Sequence, residues 1–409
     1  MDIASVYRAE YGRCVATLVR LLGDIGLAEE AVQDAFAVAV EKWALPDGDG
    51  LPPNPGAWIV TTARNRAIDR LRRESTREAR HAQALLLHQP DDEPREVGPV
   101  RDDQLRLIFT CCHPALSPLA QTALTLRLLG GLEAAEIARA YLVPEATVAQ
   151  RIVRAKKKIR DAAIPYRVPE GRELPDRLPP VLTVLYLIFN EGYTSTSGTQ
   201  LLRTDLCAEA VRLARALAAL MPDEPEVLGL LALLLLIDAR RPARVGPSGE
   251  LVRLAEQDRS RWDRELIAEG HDLVRRCLRR NRPGPYQLQA AINAVHTDGT
   301  ATDWTQVLAL YDQLLLLAPT PIVALNRAVA VAEVHGPALA LAAIETIELP
   351  GYHLLPATRA DLLARLGRNT EALAAYDEAI ALATNDTERT FLQNRRSDLD
   401  PSPATTENP

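Results

Sequence analysis

The segment 57–80 constrains the fold of this chain most strongly, because an apolar stripe and a basic stripe both follow helical spacing along it. The basic residues are Arg66, Arg70, Arg73, Arg77 and Arg80, and the apolar residues are Val60, Ala63, Ala67 and Leu71. Steps of three and four residues keep each set on one face of an α-helix. Asn54 and Pro55 precede the segment and are typical of a helix start. We therefore predict an amphipathic helix with one cationic face.

The length and sign of this cationic stripe favour contact with nucleic acid. At a rise of about 1.5 Å per residue the stripe is roughly 21 Å long, so it can follow several phosphates of one strand. Asp69, Glu74 and Glu78 fall mainly off the stripe, whereas most solvated helix faces alternate in sign. A solvated amphipathic helix is the alternative interpretation.

Composition indicates an all-α fold for the whole chain. Hydrophobic residues make up 47% of the 409 residues but aromatic residues only 4%, so the core must consist of Leu, Ala and Val. Helix formers dominate, and β-branched runs with a period of two are scarce. A chain of this length allows two or three domains.

Other classes of protein receive no support from the sequence. The N-terminus carries no charged-then-apolar leader, and the apolar run 230–237 is too short to cross a bilayer, so we expect a cytoplasmic protein without membrane contact. Cys111, Cys112 and His113 are adjacent rather than spaced, which suits metal geometry poorly. The chain has no nucleophile elbow, phosphate loop or metal-ligand spacing, and we expect no catalytic residue, metal or cofactor.

A second DNA-binding pattern occupies residues 133–161. The spacing predicts a short helix over 133–141, a turn, and a second helix that begins at Pro144, as in a helix-turn-helix. The packing residues are Ala138, Tyr141, Val143, Val148 and Ile152. The outward residues are Glu145, Thr147, Gln150, Arg151 and Arg154, followed by Lys156, Lys157 and Lys158. Six basic and two acidic residues give the second helix a net charge of +4, which favours reading of duplex DNA over a purely structural helix pair.

Charge also marks the boundaries between domains. Residues 1–164 contain 22 basic and 22 acidic residues, so the net charge of −7 belongs to 165–409. The segment 86–104 contains prolines and six acidic residues, which is typical of a linker. We place this linker between two small domains over 1–85 and 105–164.

The segment 26–43 predicts another amphipathic helix. Its apolar face is Leu27, Ala31, Ala35, Phe36, Ala39 and Trp43. The opposite face carries a polar strip that consists of Glu30, Gln33, Asp34 and Glu41. The strip is available to a partner protein, and an ordinary solvent face is the alternative interpretation.

Together these patterns resemble the extracytoplasmic-function (ECF) sigma factors, two-domain proteins that direct bacterial RNA polymerase to promoters. The matching strings are GLAEEAVQDAFAVAVEKW, AWIVTTARNRAIDRLRRE and AAEIARAYLVPEATVAQRIVRAKKKI, and their order and separation match too. The chain departs from many helix-turn-helix units at Leu142, where Gly is common, and at 133–135, where a Ser or Thr cap is common.

The resemblance implies a partner for each surface. The polar strip is similar to the surface that docks on the clamp helices of the largest subunit of core RNA polymerase, and the polymerase flap is a further expected contact. The loop 46–55 and the helix after it resemble the part that melts the −10 element of promoter DNA, and the helix 145–160 resembles the −35 reader. The residues implied in −10 melting are Trp58, Arg64, Asn65, Arg66, Arg70, Arg73 and Arg77. The acidic linker resembles the segment that threads toward the RNA exit path.

The C-terminal part, 165–409, exceeds a minimal sigma factor. We predict a Pro-rich joint at 165–180, a helical extension at 181–400 and a disordered tail at 401–409. Spacing typical of tetratricopeptide repeats occurs at Gly367, Ala372, Tyr376 and Ala379, at Tyr311 and Pro319, and in degenerate form around Gly336. The arrangement resembles a subgroup of ECF sigma factors with a fused helical-repeat extension.

Two polar segments of the extension, 189–198 and 257–267, have two interpretations. Either they form a surface for an effector or for intramolecular contact with the sigma-like domains, or they are capped helix ends with surface ion pairs. Acid–base pairing among Asn190, Glu191, Asp258 and Asp263 lacks a supporting motif.

We hypothesise a sigma factor whose activity is controlled or supported by its C-terminal extension. The alternative is a one-component helix-turn-helix regulator with a sensor repeat domain, and a third hypothesis is an interaction scaffold. The segment 26–80 discriminates between them, because a plain duplex binder has no use for it.

Overall fold

The computed structural model describes residues 3–43, 51–74, 100–140, 143–169, 173–195, 201–299 and 301–399. These residues form α-helices, short 3-10 turns and an antiparallel bridge between Val245 and Leu251, and they contain no β-strand. The prediction of an all-α fold is therefore confirmed. Of the helices in these ranges, none is both long and apolar enough to span a membrane. The chain divides into two compact units, Met1–Ile188 and Phe189–Pro409.

Three mutually packed helices begin the first unit: α1 (Ile3–Leu22), α2 (Ile25–Trp43) and α3 (Pro55–Glu74). Their shared core includes Val15, Leu18, Val32, Ala35, Ile59 and Ala63, all fully buried. The α3 helix corresponds to the segment with the basic stripe. Its start is as predicted, because Pro55 is the first helical residue and the Asn54 Oδ1 accepts a hydrogen bond from the Ala57 amide at 3.1 Å.

Four further helices follow in the first unit: α4 (Val100–Cys111), α5 (Pro118–Leu128), α6 (Ala134–Ala140) and α7 (Glu145–Asp161). The α6 and α7 helices pack together and form the predicted helix pair, although Tyr141 and Leu142 lie outside the described residues. The buried residues of α7 are Val148, Ile152, Ala155 and Ile159. Steps of three and four residues between them place one apolar face against the rest of the unit.

The α1 helix also packs against α4 and α5, so the two groups of helices share an interface. The Arg20 Nε donates a hydrogen bond to the buried Asp103 Oδ2 at 2.9 Å. The Tyr166 hydroxyl lies 2.8 Å from the Ala16 carbonyl and 2.7 Å from the Asp103 carbonyl. The structure therefore differs from the expected solvated linker at its last residues. Asp103 is buried in α4. Its ion pair with Arg20 compensates for the free-energy cost of burying the carboxylate.

The helix α8 (Leu174–Tyr193) contains the boundary between the two units. It begins inside the segment 165–180, which the sequence suggested as a Pro-rich joint, and includes Pro179 and Pro180. Leu178, Val181 and Leu182 of this stretch are buried. Proline lacks an amide donor but its φ suits a helix, and burial of these apolar side chains offsets the missing hydrogen bonds.

The remaining helices belong to the second unit. They are α9 (Thr204–Leu220), α10 (Pro225–Asp238), α11 (Arg264–Arg280), α12 (Pro285–Thr297), α13 (Trp304–Leu317), α14 (Pro321–His335), α15 (Pro337–Ile344), α16 (Leu354–Arg365), α17 (Asn369–Leu382) and α18 (Asp386–Leu399). Consecutive helices pack on each other, and α13 to α18 share a core that includes Val307, Ala330, Ala360 and Tyr376. A helical C-terminal region is thus confirmed, while its tetratricopeptide-like character stays a prediction.

The polar segment 257–267 consists of capped helix starts. The Asp258 Oδ1 accepts a hydrogen bond from the Ser260 amide at 2.9 Å, at the 3-10 turn Arg259–Arg261. The Asp263 Oδ1 accepts from the Glu265 and Leu266 amides at 2.9 and 3.0 Å, at the start of α11. Both carboxylates therefore act as helix caps, which is the second of the two interpretations.

Candidate nucleic-acid interface

The α3 helix presents the residues predicted to contact the −10 element. Asn65, Arg66 and Arg70 are exposed, and Trp58 and Arg64 are half-buried. Arg73 lies in the last turns of α3, whereas Arg77, Arg80 and residues 46–50 of the loop 46–55 lie outside the described residues. Ile59, Ala63 and Ala67 are buried on the opposite side. The helix is therefore amphipathic in the predicted sense, with Val60 and Leu71 half-buried at the edge of its apolar face.

Trp58 is held by a second tryptophan. Its ring lies 5.1 Å from the ring of Trp43, edge to face, at an angle of 61°. Such pairs are favourable beyond the area that they bury. The contact fixes the start of α3 against the end of α2 and leaves part of the Trp58 ring accessible.

Arg70 joins the two predicted surfaces of the N-terminal helices. Its Nη1 lies 2.6 Å from Oε2 of Glu30, a residue of the polar strip. Both side chains are about half exposed (49% and 55%), so the pair contributes less than about 1 kcal/mol and can be exchanged for another charged partner. The other strip residues, Gln33, Asp34 and Glu41, are exposed on α2.

The α7 helix presents the second basic face. Its exposed predicted residues are Glu145, Gln150, Arg154, Lys157 and Lys158, and the half-buried ones are Thr147 and Arg151. Arg154, Lys157 and Lys158 border a shallow depression of about 320 Å³ near the C-terminal end of the helix. The charge is thus concentrated on one accessible patch.

Lys156 does not belong to this patch. Its Nζ contacts the Glu29 Oε2, and only 24% of its side chain is exposed. Lys156 follows Ile152 by four residues and precedes Ile159 by three, and both isoleucines are buried. This spacing brings Lys156 beside the apolar face of α7, away from the exposed lysines at 157 and 158.

Glu29 is a buried charged residue next to these surfaces to which the sequence analysis assigned no role. Its side chain is only 5% exposed, and besides Lys156 it accepts a hydrogen bond from the Arg127 Nε at 2.8 Å. The Tyr11 hydroxyl and the Gln33 amide each lie 3.5 Å from its Oε1. One buried carboxylate of α2 therefore joins α1, α5 and α7.

The surroundings of Glu29 keep Tyr11 protonated. Burial raises the pKa of Tyr11 well above its usual value, and the charge of Glu29 acts in the same direction. A phenol that stays protonated donates to the carboxylate. A sequence signal for this site existed, because position 29 falls between the buried positions Ile25 and Val32 at helical spacing.

The cysteines are part of the core. All five are free and buried, and burial raises the pKa of Cys112 to about 12. Within the described ranges, no three or more His, Cys, Asp or Glu side chains form a group that could hold a metal ion.

Family models match three parts of the chain. Residues 6–77 match Sigma-70 region 2, and residues 106–159 match Sigma-70 region 4. Residues 177–278 match a family of unknown function, DUF6596. The first two matches contain α3 and α7, the helices with the basic faces.

The chain resembles known proteins over its whole length and over its N-terminal part. It is 43% identical over 404 residues to the uncharacterized protein R00370 of Rhizobium meliloti (strain 1021). The aligned region covers 96% of this chain and 95% of the relative. It is 27% identical over 166 residues to the probable ECF RNA polymerase sigma factor SigI of Mycobacterium tuberculosis (40% of this chain, 56% of SigI). It is 29% identical over 164 residues to the ECF RNA polymerase sigma factor SigK of Mycolicibacterium vanbaalenii (38% of this chain, 80% of SigK). The two Sigma-70 regions and these partial similarities support an ECF-type sigma factor, and the full-length similarity shows that the chain belongs to the same family as R00370.

Proposed function

We propose that this protein binds core RNA polymerase through the polar strip of α2, melts the −10 element through α3 and reads the −35 element through α7. The observation that carries the proposal is the pair of basic helices, each inside a Sigma-70 region and each backed by a buried apolar face. The polymerase flap is a further proposed contact.

The chemistry of α3 suits single-stranded DNA. Exposed Arg66 and Arg70 supply charge along the helix, and Trp58 supplies a partly accessible aromatic ring. Single-strand sites combine these two elements, a cationic track for the backbone and aromatic rings on which bases stack.

The chemistry of α7 suits duplex DNA. Arginine and glutamine side chains on one helix face can reach base edges in the major groove, and lysines contact phosphates. Gln150, Arg151 and Arg154 take the first role in this proposal, and Lys157 and Lys158 take the second.

Promoter binding requires the first unit to open. The names of the two elements place them 25 base pairs apart, which is about 85 Å along B-DNA. The α7 helix of 17 residues is only about 26 Å long. Glu29 belongs to α2, which packs on α3, and it contacts Lys156 of α7, so in this arrangement the two DNA-binding surfaces lie much closer together than the two elements do. We therefore propose that the described arrangement is a closed state, and that Lys156 becomes available to DNA only when Glu29 releases it.

We propose that the C-terminal extension controls or supports initiation. The similarity to R00370 runs through it, and it forms a compact unit of its own. A chain that ends after Tyr193, the last residue of α8, should differ from the full chain in transcript yield with core polymerase. Equal transcript yields at equal protein concentration would contradict the proposed role of the extension.

Run-off transcription tests the whole proposal. Purified core polymerase is combined with the protein on promoter fragments selected by binding to the resulting holoenzyme. A transcript that requires the protein supports the proposal. DNA binding without core, with no transcript at any protein concentration, would instead favour the one-component regulator.

A further inference from the structure

The second unit contains a cavity of about 550 Å³. It lies among the 3-10 turns at 254–261 and the helices α13, α14, α16, α17 and α18. Its volume is in the range of sites for small organic ligands. Its lining combines apolar side chains with four arginines, and this combination indicates the class of ligand.

One part of the wall is apolar and rigid. Its side chains include Trp304, Val329, Leu362, Tyr376, Phe391 and Leu392. Leu362, Tyr376 and Leu392 are buried members of the core of α13 to α18. This part offers a hydrophobic surface to the body of a ligand.

Four arginines also line the cavity, and three of them have carboxylate partners. Arg253 and Arg395 lie 3.8 and 3.4 Å from Asp361. Arg365 lies 2.7 Å from Glu333. The fourth is Arg259.

Arg259 has a different set of partners. Its Nη1 donates to the Gly299 carbonyl at 2.9 Å, and its guanidinium lies 4.7 Å from the centre of the Trp262 ring. No carboxylate in the described part of the chain lies within ion-pair distance of it. A guanidinium has five N–H donors, so the carbonyl contact leaves capacity for an anion.

A buried arginine, Arg240, adds positive charge that interacts with Arg259. Arg240 is 7% exposed and donates to Asn293, but its Nε has no hydrogen-bond acceptor among the described residues. Burial lowers the pKa of Arg240, and the charges of Arg244 and Arg259 act in the same direction. A buried cation without a counter-ion is unfavourable, so an anion nearby would stabilise this region.

A histidine connects the buried charge to the cavity wall. The ring of His296 lies 5.4 Å from the ring of Trp304, and its Nδ1 lies 3.3 Å from the Thr302 hydroxyl. Burial, followed by the charges of Arg240 and Arg259, lowers the pKa of His296 to about 4. His296 is therefore neutral at pH 7 and supports Thr302 and Trp304, which both line the cavity.

We propose that this cavity binds a small organic anion. A carboxylate, sulfonate or phosphate group binds Arg259 and Thr302, and an apolar or aromatic body packs against Trp304, Val329 and Phe391. This inference is independent of the proposed role in transcription, because it concerns only the second unit.

The probe for the test is 8-anilinonaphthalene-1-sulfonate, which carries a sulfonate on an aromatic body, titrated into the full chain and followed by fluorescence. We expect saturable binding at one site. Arg259→Gln removes the anchoring charge and should weaken binding by about tenfold to a hundredfold, as expected for the loss of a charge-assisted hydrogen bond. Val329→Glu places a negative charge among the apolar lining residues, and it should weaken binding to a similar extent.

Matched controls are present in the chain. Arg261→Gln changes an arginine of the same 3-10 turn that does not line the cavity. Leu339→Glu adds a carboxylate at a leucine that is 60% exposed and does not line the cavity. Both should bind the probe as the unchanged protein does. The uncharged analogue N-phenyl-1-naphthylamine should bind at least about tenfold more weakly than the sulfonate.

Equal probe affinity in all four variants, or equal affinity for the uncharged analogue, would overturn the proposal. Weaker binding in only one of the two cavity variants would also overturn it. The anionic group and the apolar body of the ligand would then not both contact the residues that the proposal assigns to them. Circular dichroism and the unfolding midpoint show whether Arg259→Gln stays folded. If it does not, Val329→Glu carries the test, because Val329 is already 38% exposed and its replacement leaves the core intact.

Discussion

Arg127 donates a hydrogen bond to Glu29 at 2.8 Å, although the two residues are 98 positions apart in the chain. Glu29 lies in the part that matches Sigma-70 region 2, and Arg127 lies in the part that matches region 4. Lys156 contacts the same carboxylate. This ion-pair cluster therefore joins the two matched parts in the arrangement that we propose to be a closed state.

The first prediction concerns stability. Glu29→Gln leaves Arg127 and Lys156 without their counter-ion, at side chains that are 19% and 24% exposed. Because water reaches both partners, we expect a loss of about 1–3 kcal/mol of unfolding free energy rather than the larger cost of a fully buried charge. Urea unfolding, followed by a signal from the first unit, measures this loss of unfolding free energy.

The control is Glu30→Gln, at the neighbouring exposed pair with Arg70. It should cost less than about 1 kcal/mol. If the two variants are equally stable, the cluster at Glu29 does not hold the closed arrangement.

A second prediction uses the close approach of α1 and α5. A Cβ atom at Gly12 would lie 2.4 Å from the Leu129 carbonyl oxygen, and backbone cannot move aside as a flexible side chain can. Gly12→Ala should therefore destabilise the closed arrangement by about 1–3 kcal/mol and increase the radius of gyration in small-angle scattering.

Gly26→Ala is the matched control, because its added methyl group would meet only the Asp24 side chain. Its radius of gyration should equal that of the unchanged protein. If Gly12→Ala has the same radius of gyration and the same unfolding free energy as the unchanged protein, this contact does not maintain the closed state.

Local patterns in the sequence predicted the helices but not the contacts between them. Asn54, Pro55 and Pro144 mark helix starts because capping depends on a few adjacent residues. Helical spacing places Glu29 among buried positions of α2, but neither it nor Asp103 shows in the local sequence which residue compensates for burial of its charge. Their burial depends on Arg127 and Arg20, which are distant in the chain, and such pairings leave no periodic signal.

The three consecutive lysines of α7 also show that local sequence patterns do not predict contacts with distant residues. Three consecutive lysines were all predicted to contact DNA, yet Lys156 turns toward Glu29 while Lys157 and Lys158 stay exposed. The helical period alone separates Lys156 from its neighbours, since it lies at helical spacing from Ile152 and Ile159. The partner that receives it could not be predicted in this way.

A third prediction tests the proposed −35 reader. Arg151→Ala and Arg154→Ala should each weaken binding of holoenzyme to its promoter by about 1–3 kcal/mol if the side chain contacts a base. Competition between promoter fragments with intact and altered −35 sequences measures the loss. Lys42→Ala, an exposed lysine on α2, serves as the control. Unchanged promoter choice in both arginine variants would contradict the assignment of α7.

A fourth prediction concerns pH. Burial, and then the charges of Arg240 and Arg259, lower the pKa of His296 to about 4. An unfolded histidine titrates near 6.5, so between these values the unfolded chain binds a proton that the folded chain does not. The unfolding free energy should therefore fall as pH falls, and His296 accounts for about 1 kcal/mol of the loss between about pH 7 and 5.5.

His296→Gln should remove that part of the pH dependence, as measured by urea unfolding at both pH values. His335→Gln, at an exposed histidine of α14, should retain it. If the unfolding free energy depends on pH equally in the unchanged protein and in both variants, His296 is not a buried neutral histidine.

The most direct test measures the separation between α2, which packs on α3, and α7 during initiation. Fluorescent labels are placed at Val40→Cys on α2 and Ala162→Cys after α7, both exposed positions, whereas the native cysteines are buried. We expect efficient energy transfer in the free protein. With core polymerase on promoter DNA that yields a transcript, transfer should fall sharply, because the two elements are about 85 Å apart. Unchanged transfer in a complex that produces transcript would show that the first unit stays closed, and would contradict opening as a step of promoter recognition.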